Sequence, residues 1–95
     1  MFEWDNKKAA ANDVKHGISF EEAATAFFDR AGLDGEDLEH SLLEPRRLRL
    51  ARSAAGNLLV IAYTVRSHGH EKNIRIISAR LANRQEKKRY QAEEG

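Results

Sequence analysis

The run LLVIAYTV, Leu58–Val65, decides the fold. It is a short, uncharged, continuously apolar stretch between two turn-rich segments, SAAGN (53–57) and SHGHEK (67–72). That pattern suits a strand at the centre of a sheet. The segments on either side have a period of two: RRLRLAR (46–52) alternates Leu48 and Leu50 with Arg47 and Arg49, and NIRIISAR (73–80) alternates again. Three strands in series with such short connections must run antiparallel, because a parallel pair needs a crossover of about a dozen residues or more.

Further out, the period becomes helical. Asp5 can cap a first helix, with Trp4 placed to staple onto Ala9, Gly17 as the stop, and Lys15 and His16 in the last turn, where cations complement the helix dipole. Ser19 and Glu22 then form an S-x-x-E capping box, and Phe20, Ala23, Ala24, Phe27 and Phe28 fall on one helical stripe, which reads as core. From Asp29 to Glu44 the pattern dissolves into a loop with one short edge strand around Leu33. After the three strands, Asn83 and Glu86 form an N-x-x-E box at the start of a final helix running to about Glu93, with little apolar surface besides Tyr90. The expected fold is α+β: two N-terminal helices packed on one face of a small antiparallel sheet, then a basic C-terminal helix. Two helices cover one face only, so the arginines are expected on the other.

Ninety-five residues bound a single domain with one modest core, and 41% apolar with 33% charged residues describe a globular chain rather than a disordered or membrane one. No run approaches the roughly 18 apolar residues of a spanning helix, and no secretion signal opens the chain, so a cytoplasmic location is expected. With no cysteine, disulfides, thiolate chemistry and cysteine-ligated metals are excluded. The net charge of +1 hides an asymmetry: residues 1–45 hold 4 Lys/Arg against 11 Asp/Glu (−7), residues 46–95 hold 12 against 4 (+8). A basic face for nucleic acid or for an acidic partner follows, unless folding intersperses the halves.

The basic residues concentrate late. Strict alternation in the last strand places Ile74, Ile76, Ser78 and Arg80 on one face and Arg75, Ile77 and Ala79 on the other, while Arg66 ends the preceding strand near Arg75. Arginine's planar, permanently charged fork matches phosphate oxygens. Charged residues that protect a sheet edge account for one or two such positions, not for a cluster continuing into the helix. His68 and His70 lie in a turn with Glu71, but a metal site needs three or four converging ligands and no other cluster is near in sequence, so no metal or other cofactor is expected. No Ser-His-Asp signature, phosphate-cradling glycine loop or dinucleotide fingerprint is present, which leaves electrostatics as the main catalytic resource.

FEWD (2–5), KHGISFEEA (15–23), RSAAGNLLVIAYT (52–64), IRIISAR (74–80) and KKRY (87–90) together resemble the BrnT family, ribonuclease toxins of type II toxin–antitoxin systems. The likeness runs over nearly the whole chain in the same order. It departs from the family at Val65, where an acidic residue is expected before Arg66, and in the longer hairpin VRSHGHEKN. The resemblance implies one toxin domain over residues 1–95, a RelE-like fold, RNA cleavage that arrests translation, and a BrnA-like antitoxin whose ribbon-helix-helix domain makes the only DNA contact. Arg66, Arg75 and Arg80 fall on matching positions. Metal-free cleavage by 2′-hydroxyl attack builds negative charge on a phosphate, and these three arginines are expected to converge on it. Arg84, Lys88 and Arg52 are expected to bind flanking phosphates, Tyr90 to stack on a base or donate a proton, and His68 or His70 to serve as acid or base. The alternatives are a non-catalytic nucleic-acid-binding module and a basic surface that contacts an acidic antitoxin.

Overall fold

A computed structural model describes residues 1–39 and 45–94. The part of the expected loop at residues 40–44 lies outside the described residues. Strand β1 (Phe2–Glu3) leads into helices α1 (Asn6–His16) and α2 (Phe20–Thr25), the second tightening into a 3-10 turn over Ala26–Phe28. Strands β2 (Leu33–Glu36), β3 (Arg47–Arg52), β4 (Leu58–His68) and β5 (Glu71–Leu81) follow, then helix α3 (Arg84–Glu94). They form one sheet in the order β1-β5-β4-β3-β2. The central three strands are antiparallel as expected, and the edge strand at Leu33 is present. The sheet is not wholly antiparallel: β1 adds in parallel, Phe2 against Ile74 and Glu3 against Arg75. Two residues are too short to show a period, so sequence pattern could not find this strand.

The caps act as their residues dictate. Asp5 accepts from the N–H groups of Lys7 and Lys8, and Gly17 closes α1 at φ 70°, a conformation that favours glycine. The Ser19 hydroxyl accepts from Glu22 N–H, but the Glu22 carboxylate turns to Ser53 and Asn57 instead of completing the box. Ile18, Phe20, Ala23, Ala26, Ala51, Leu59, Ile61, Ile76 and Ala79 make the core between the helices and the sheet, with Trp4, Ala9 and Phe27 packed against it. Complete burial of Phe20 contributes about 1.5–3 kcal/mol. Phe28, expected in this core, is 78% exposed. The 3-10 turn advances about 120° per residue and swings it off the α-helical stripe.

Two expectations about faces are corrected. On β3 it is Arg47 and Arg49 that face the helices, and Leu48 and Leu50 that face away. Arg49 is buried because its guanidinium is saturated: it donates to the carbonyls of Ala26 (3.1 Å) and Asp29 (2.7 Å) and to Asp34 (2.6 Å), and it lies 5.4 Å from the Phe27 ring centroid. Arg47 donates to the Tyr63 hydroxyl, which donates to Asp34. Leu48 and Leu50 belong instead to a second small core with Leu33, Leu58, Val60, Ala82 and Tyr90, beneath α3. The C-terminal helix therefore covers part of the far sheet face.

The second correction concerns β5. Pairing runs Val60↔Arg80, Ile61↔Ala79 and Ala62↔Ser78, then skips Ile77 and resumes at Tyr63↔Ile76, Thr64↔Arg75 and Arg66↔Asn73. The extra residue of this bulge reverses the alternation. Ile74, Ile76 and Ala79 all point to the helices, while Asn73, Arg75, Ser78 and Arg80 share the opposite face with Arg66.

Candidate functional site

The bulge is held from the side. Beyond Glu3 no strand among the described residues covers the outer edge of β5, and Asn12 of α1 takes its place there. Its amide nitrogen donates to the carbonyls of Ala79 and Ile18, each at 2.9 Å, and its oxygen accepts from Ala79 N–H at 3.0 Å. One buried side chain thus pairs the backbone two residues past the bulge.

On the open face, the part not covered by α3 is a trough of about 360 Å³. Leu48, Val60 and Ala62 make its floor, and Ser78, Arg80, Arg46, Asp37 and Glu39 its polar walls. Asp37 is buried and its N–H donates to the Arg46 carbonyl, which carries the β2–β3 pairing one step past Glu36 and Arg47. From Val60 to Arg66 the face is roughly 20 Å long at about 3.3 Å per residue.

Arg66, Arg75 and Arg80 lie on this one face but do not converge on one point, which corrects the expectation of a single gripped phosphate. Arg80 is turned towards α3, where Glu86 accepts two bonds from it at 2.8 and 2.9 Å. The bonds from Arg80 hold the Glu86 carboxyl below the usual glutamate range, and Glu86 in turn raises Arg80. Glu86 also accepts from Asn83 N–H while Asn83 accepts from Glu86 N–H, so the expected capping box forms and ties Arg80 to the start of α3. Arg75 is turned the other way, to Glu3 at 2.9 Å. Glu3 also accepts from Asn73 Nδ2 at 3.2 Å and lies 3.5 Å from His68 Nε2. The Arg75 and Asn73 bonds lower its pKa. Beside this cluster, the Thr64 hydroxyl and the Asn73 side-chain oxygen are buried without a hydrogen-bond partner among the described residues.

The other expected residues are distributed differently. Arg84 and Lys88 are exposed on α3. Arg52 lies at the far end of the sheet, its guanidinium 5.4 Å from the Tyr90 ring centroid, bordering a separate hollow with Lys87 and Gln91. It is not part of the trough. Tyr90 is 2% exposed, and its hydroxyl donates to Asp29 at 2.7 Å, so it is placed to anchor α3 and not to stack on a nucleobase. Burial pushes the Asp29 carboxyl up, but the Arg52 N–H, the Tyr90 hydroxyl and the Ala31 N–H outweigh it and the net shift is downward. His70 is exposed at the hairpin. Among the described residues no three His, Asp or Glu side chains gather as a metal-ligand set.

Five residues of this face were not singled out from sequence: Glu3, Asp37, Glu39, Arg46 and Asn73. Arg46 could have been found by extending the Leu48–Leu50 alternation back one step. Glu3 and Asn73 carried no local signal, because their role depends on β1 meeting β5.

These features define a small α+β protein with arginines ranged over the free half of one sheet face. The family comparison is specific: a model described as ribonuclease toxin, BrnT, of type II toxin–antitoxin system matches residues 4–86. The chain belongs to the BrnT family. Its fold is similar to that of the Brucella abortus ribonuclease toxin BrnT, known from a 1.1 Å crystal structure, with a TM-score of 0.62 and 18% identity over 88% of this chain and 99% of that one. No curated protein matches the chain.

Proposed function

We propose that this protein is a metal-independent endoribonuclease that arrests translation, and that its open sheet face, from the trough to the Arg66–Arg75 end beyond it, is the RNA site. The observation that carries this is the bulge-dependent placement of Arg66, Arg75 and Arg80 on one open face, on a chain of a ribonuclease toxin family. The scissile phosphate lies at the Arg66–Arg75 end, with His68 on the same strand as Arg66 as the acid or base. Arg46 and Arg80 hold the neighbouring phosphate, and Arg84 and Lys88 on α3 meet the strand beyond it. Arg80 reaches a phosphate by exchanging one carboxylate partner, Glu86, for another oxyanion of similar geometry.

In this reading the 2′-hydroxyl attacks the adjacent phosphorus. A base removes its proton, the arginines stabilise the extra charge, and an acid protonates the departing 5′-oxygen. The fold is of the RelE-like kind and the protein works in the cytoplasm. A BrnA-like ribbon-helix-helix antitoxin neutralises it and supplies the DNA contact. No helix among the described residues is long and apolar enough to cross a membrane.

The test is cleavage of RNA by the purified chain in EDTA, with analysis of the product ends. A 2′,3′-cyclic phosphate supports the mechanism. Activity abolished by chelation and restored by a divalent cation refutes metal independence. If Arg75→Ala weakens RNA binding while no preparation ever cleaves, the protein is a binding module.

A further inference from the structure

Strand β1 divides its two side chains between the two faces. Phe2 turns to the helices, with its ring centroid 5.3 Å from that of Phe27, and Glu3 turns to the open face. The strand has other anchors: Ile74 N–H donates to the Met1 carbonyl at 2.8 Å, and Phe2 also meets the Phe28 ring. The Glu3 carboxylate is therefore available for another task. It touches Arg75 and Asn73 from β5 and His68 from β4, at 2.9, 3.2 and 3.5 Å. Its side chain is 27% exposed and that of Arg75 is 28% exposed, so this pair is more sheltered than an ordinary surface pair.

We propose that Glu3 is a positioning residue of the RNA-cleaving site, fixing the Arg75 guanidinium relative to the scissile phosphate. This rests on the ribonuclease reading above. A guanidinium has five N–H donors. Tethering Nη1 to Glu3 fixes the orientation of the fork and leaves donors for a phosphate. The same carboxylate lies 3.5 Å from Nε2 of the half-exposed His68 ring, on the rim of the cluster. Asn73 completes the arrangement: its amide nitrogen donates to the same Glu3 carboxylate and holds it from the β5 side. The other charged groups near His68 are Glu71, its partner across the hairpin, Arg66 on the same face and Lys72 opposite Ser67.

The experiment compares the full-length chain with Glu3→Gln, Glu3→Ala, Arg75→Ala and the Glu3→Ala/Arg75→Ala double variant, in cleavage of a short single-stranded RNA. A misplaced catalytic group costs on the order of 10²-fold in rate. Glu3→Gln, which keeps the shape, lowers kcat by roughly 10- to 100-fold with KM unchanged or lower, because a negative charge has left the vicinity of the phosphate. The double variant is no slower than Arg75→Ala, since the two act as one unit. Cleavage by Glu3→Gln at or above the wild-type rate overturns the proposal and makes Glu3 a mask. A loss that merely tracks the folded fraction in thermal melts overturns it as well.

A second readout does not need activity. The Arg75 side-chain N–H signals should be resolved in wild-type NMR spectra and collapse in Glu3→Gln. If they are unchanged, the positioning inference fails by itself, whereas a wild-type chain that cleaves no RNA defeats the ribonuclease reading.

Discussion

Replacing Asn12 with alanine tests the device that holds the bulge. Asn12 is 7% exposed and makes three hydrogen bonds, to Ala79 N–H, the Ala79 carbonyl and the Ile18 carbonyl. A net hydrogen bond contributes about 0.5–1.5 kcal/mol, and a buried backbone group left without a partner costs about 1–3 kcal/mol. With partial relaxation and some entry of water, three such groups give a loss of about 3–5 kcal/mol. That is a large part of the roughly 5–15 kcal/mol that stabilises a domain. For a chain of this size it corresponds to a fall in Tm of the order of 10–30 °C. Asn12→Asp is expected to be at least as damaging, because the Ala79 and Ile18 carbonyls would then face an acceptor. Urea unfolding with a check for a constant m-value measures the loss, and hydrogen exchange of the Ala79 amide localises it. If Asn12→Ala costs less than about 1 kcal/mol at unchanged m-value, with Ala79 still protected, the side chain is not what pairs this edge.

Four further outcomes follow from single contacts. Gly32→Ala is destabilising by about 1–3 kcal/mol in denaturant melts, because a Cβ there would collide with the Arg49 guanidinium, which Ala26, Asp29 and Asp34 hold in place. Tyr90→Phe removes a bond to a carboxylate and costs about 1.5–3 kcal/mol, yet retains RNA cleavage; a catalytic loss at full folding would restore Tyr90 to the site. Arg80 depresses the Glu86 pKa in the folded state, so the pair's stabilisation is complete above the ordinary glutamate range and is lost as pH falls through the depressed value. The Tm difference between wild type and Glu86→Gln should accordingly be present at about pH 7 and shrink towards about pH 3. Arg84→Ala and Lys88→Ala should each reduce the slope of log RNA affinity against log salt by about 0.7, without changing the fold, and an unchanged slope would remove that residue from the phosphate path.

The parts of the molecule readable from sequence are those whose signals are local. The Asp5, Ser19 and Asn83 caps, the Gly17 stop and the three antiparallel strands each rest on residues within a few positions of one another. Errors arose where a distant contact outweighed the local pattern. Arg47 and Arg49 look like solvent-facing charges in an alternating strand, yet Asp34, Tyr63 and two main-chain carbonyls draw them to the helix side. Tyr90, on an otherwise polar helix, looked available for RNA until Asp29 and the Leu50–Val60 surface claimed it. The site was legible as a set of arginines, but not as an arrangement with Glu3, Asp37 and Arg46.

By itself the sequence determined that a basic second half would follow an acidic first half, with a sheet built round Leu58–Val65. Tertiary structure alone decided which cations share a surface. Arg75 and Arg80 are five residues apart, an odd number, and a regular strand would put them on opposite faces. They stand together because Ile77 is passed over in pairing with β4, and the backbone just beyond it finds its partner in the side chain of Asn12, 67 residues distant.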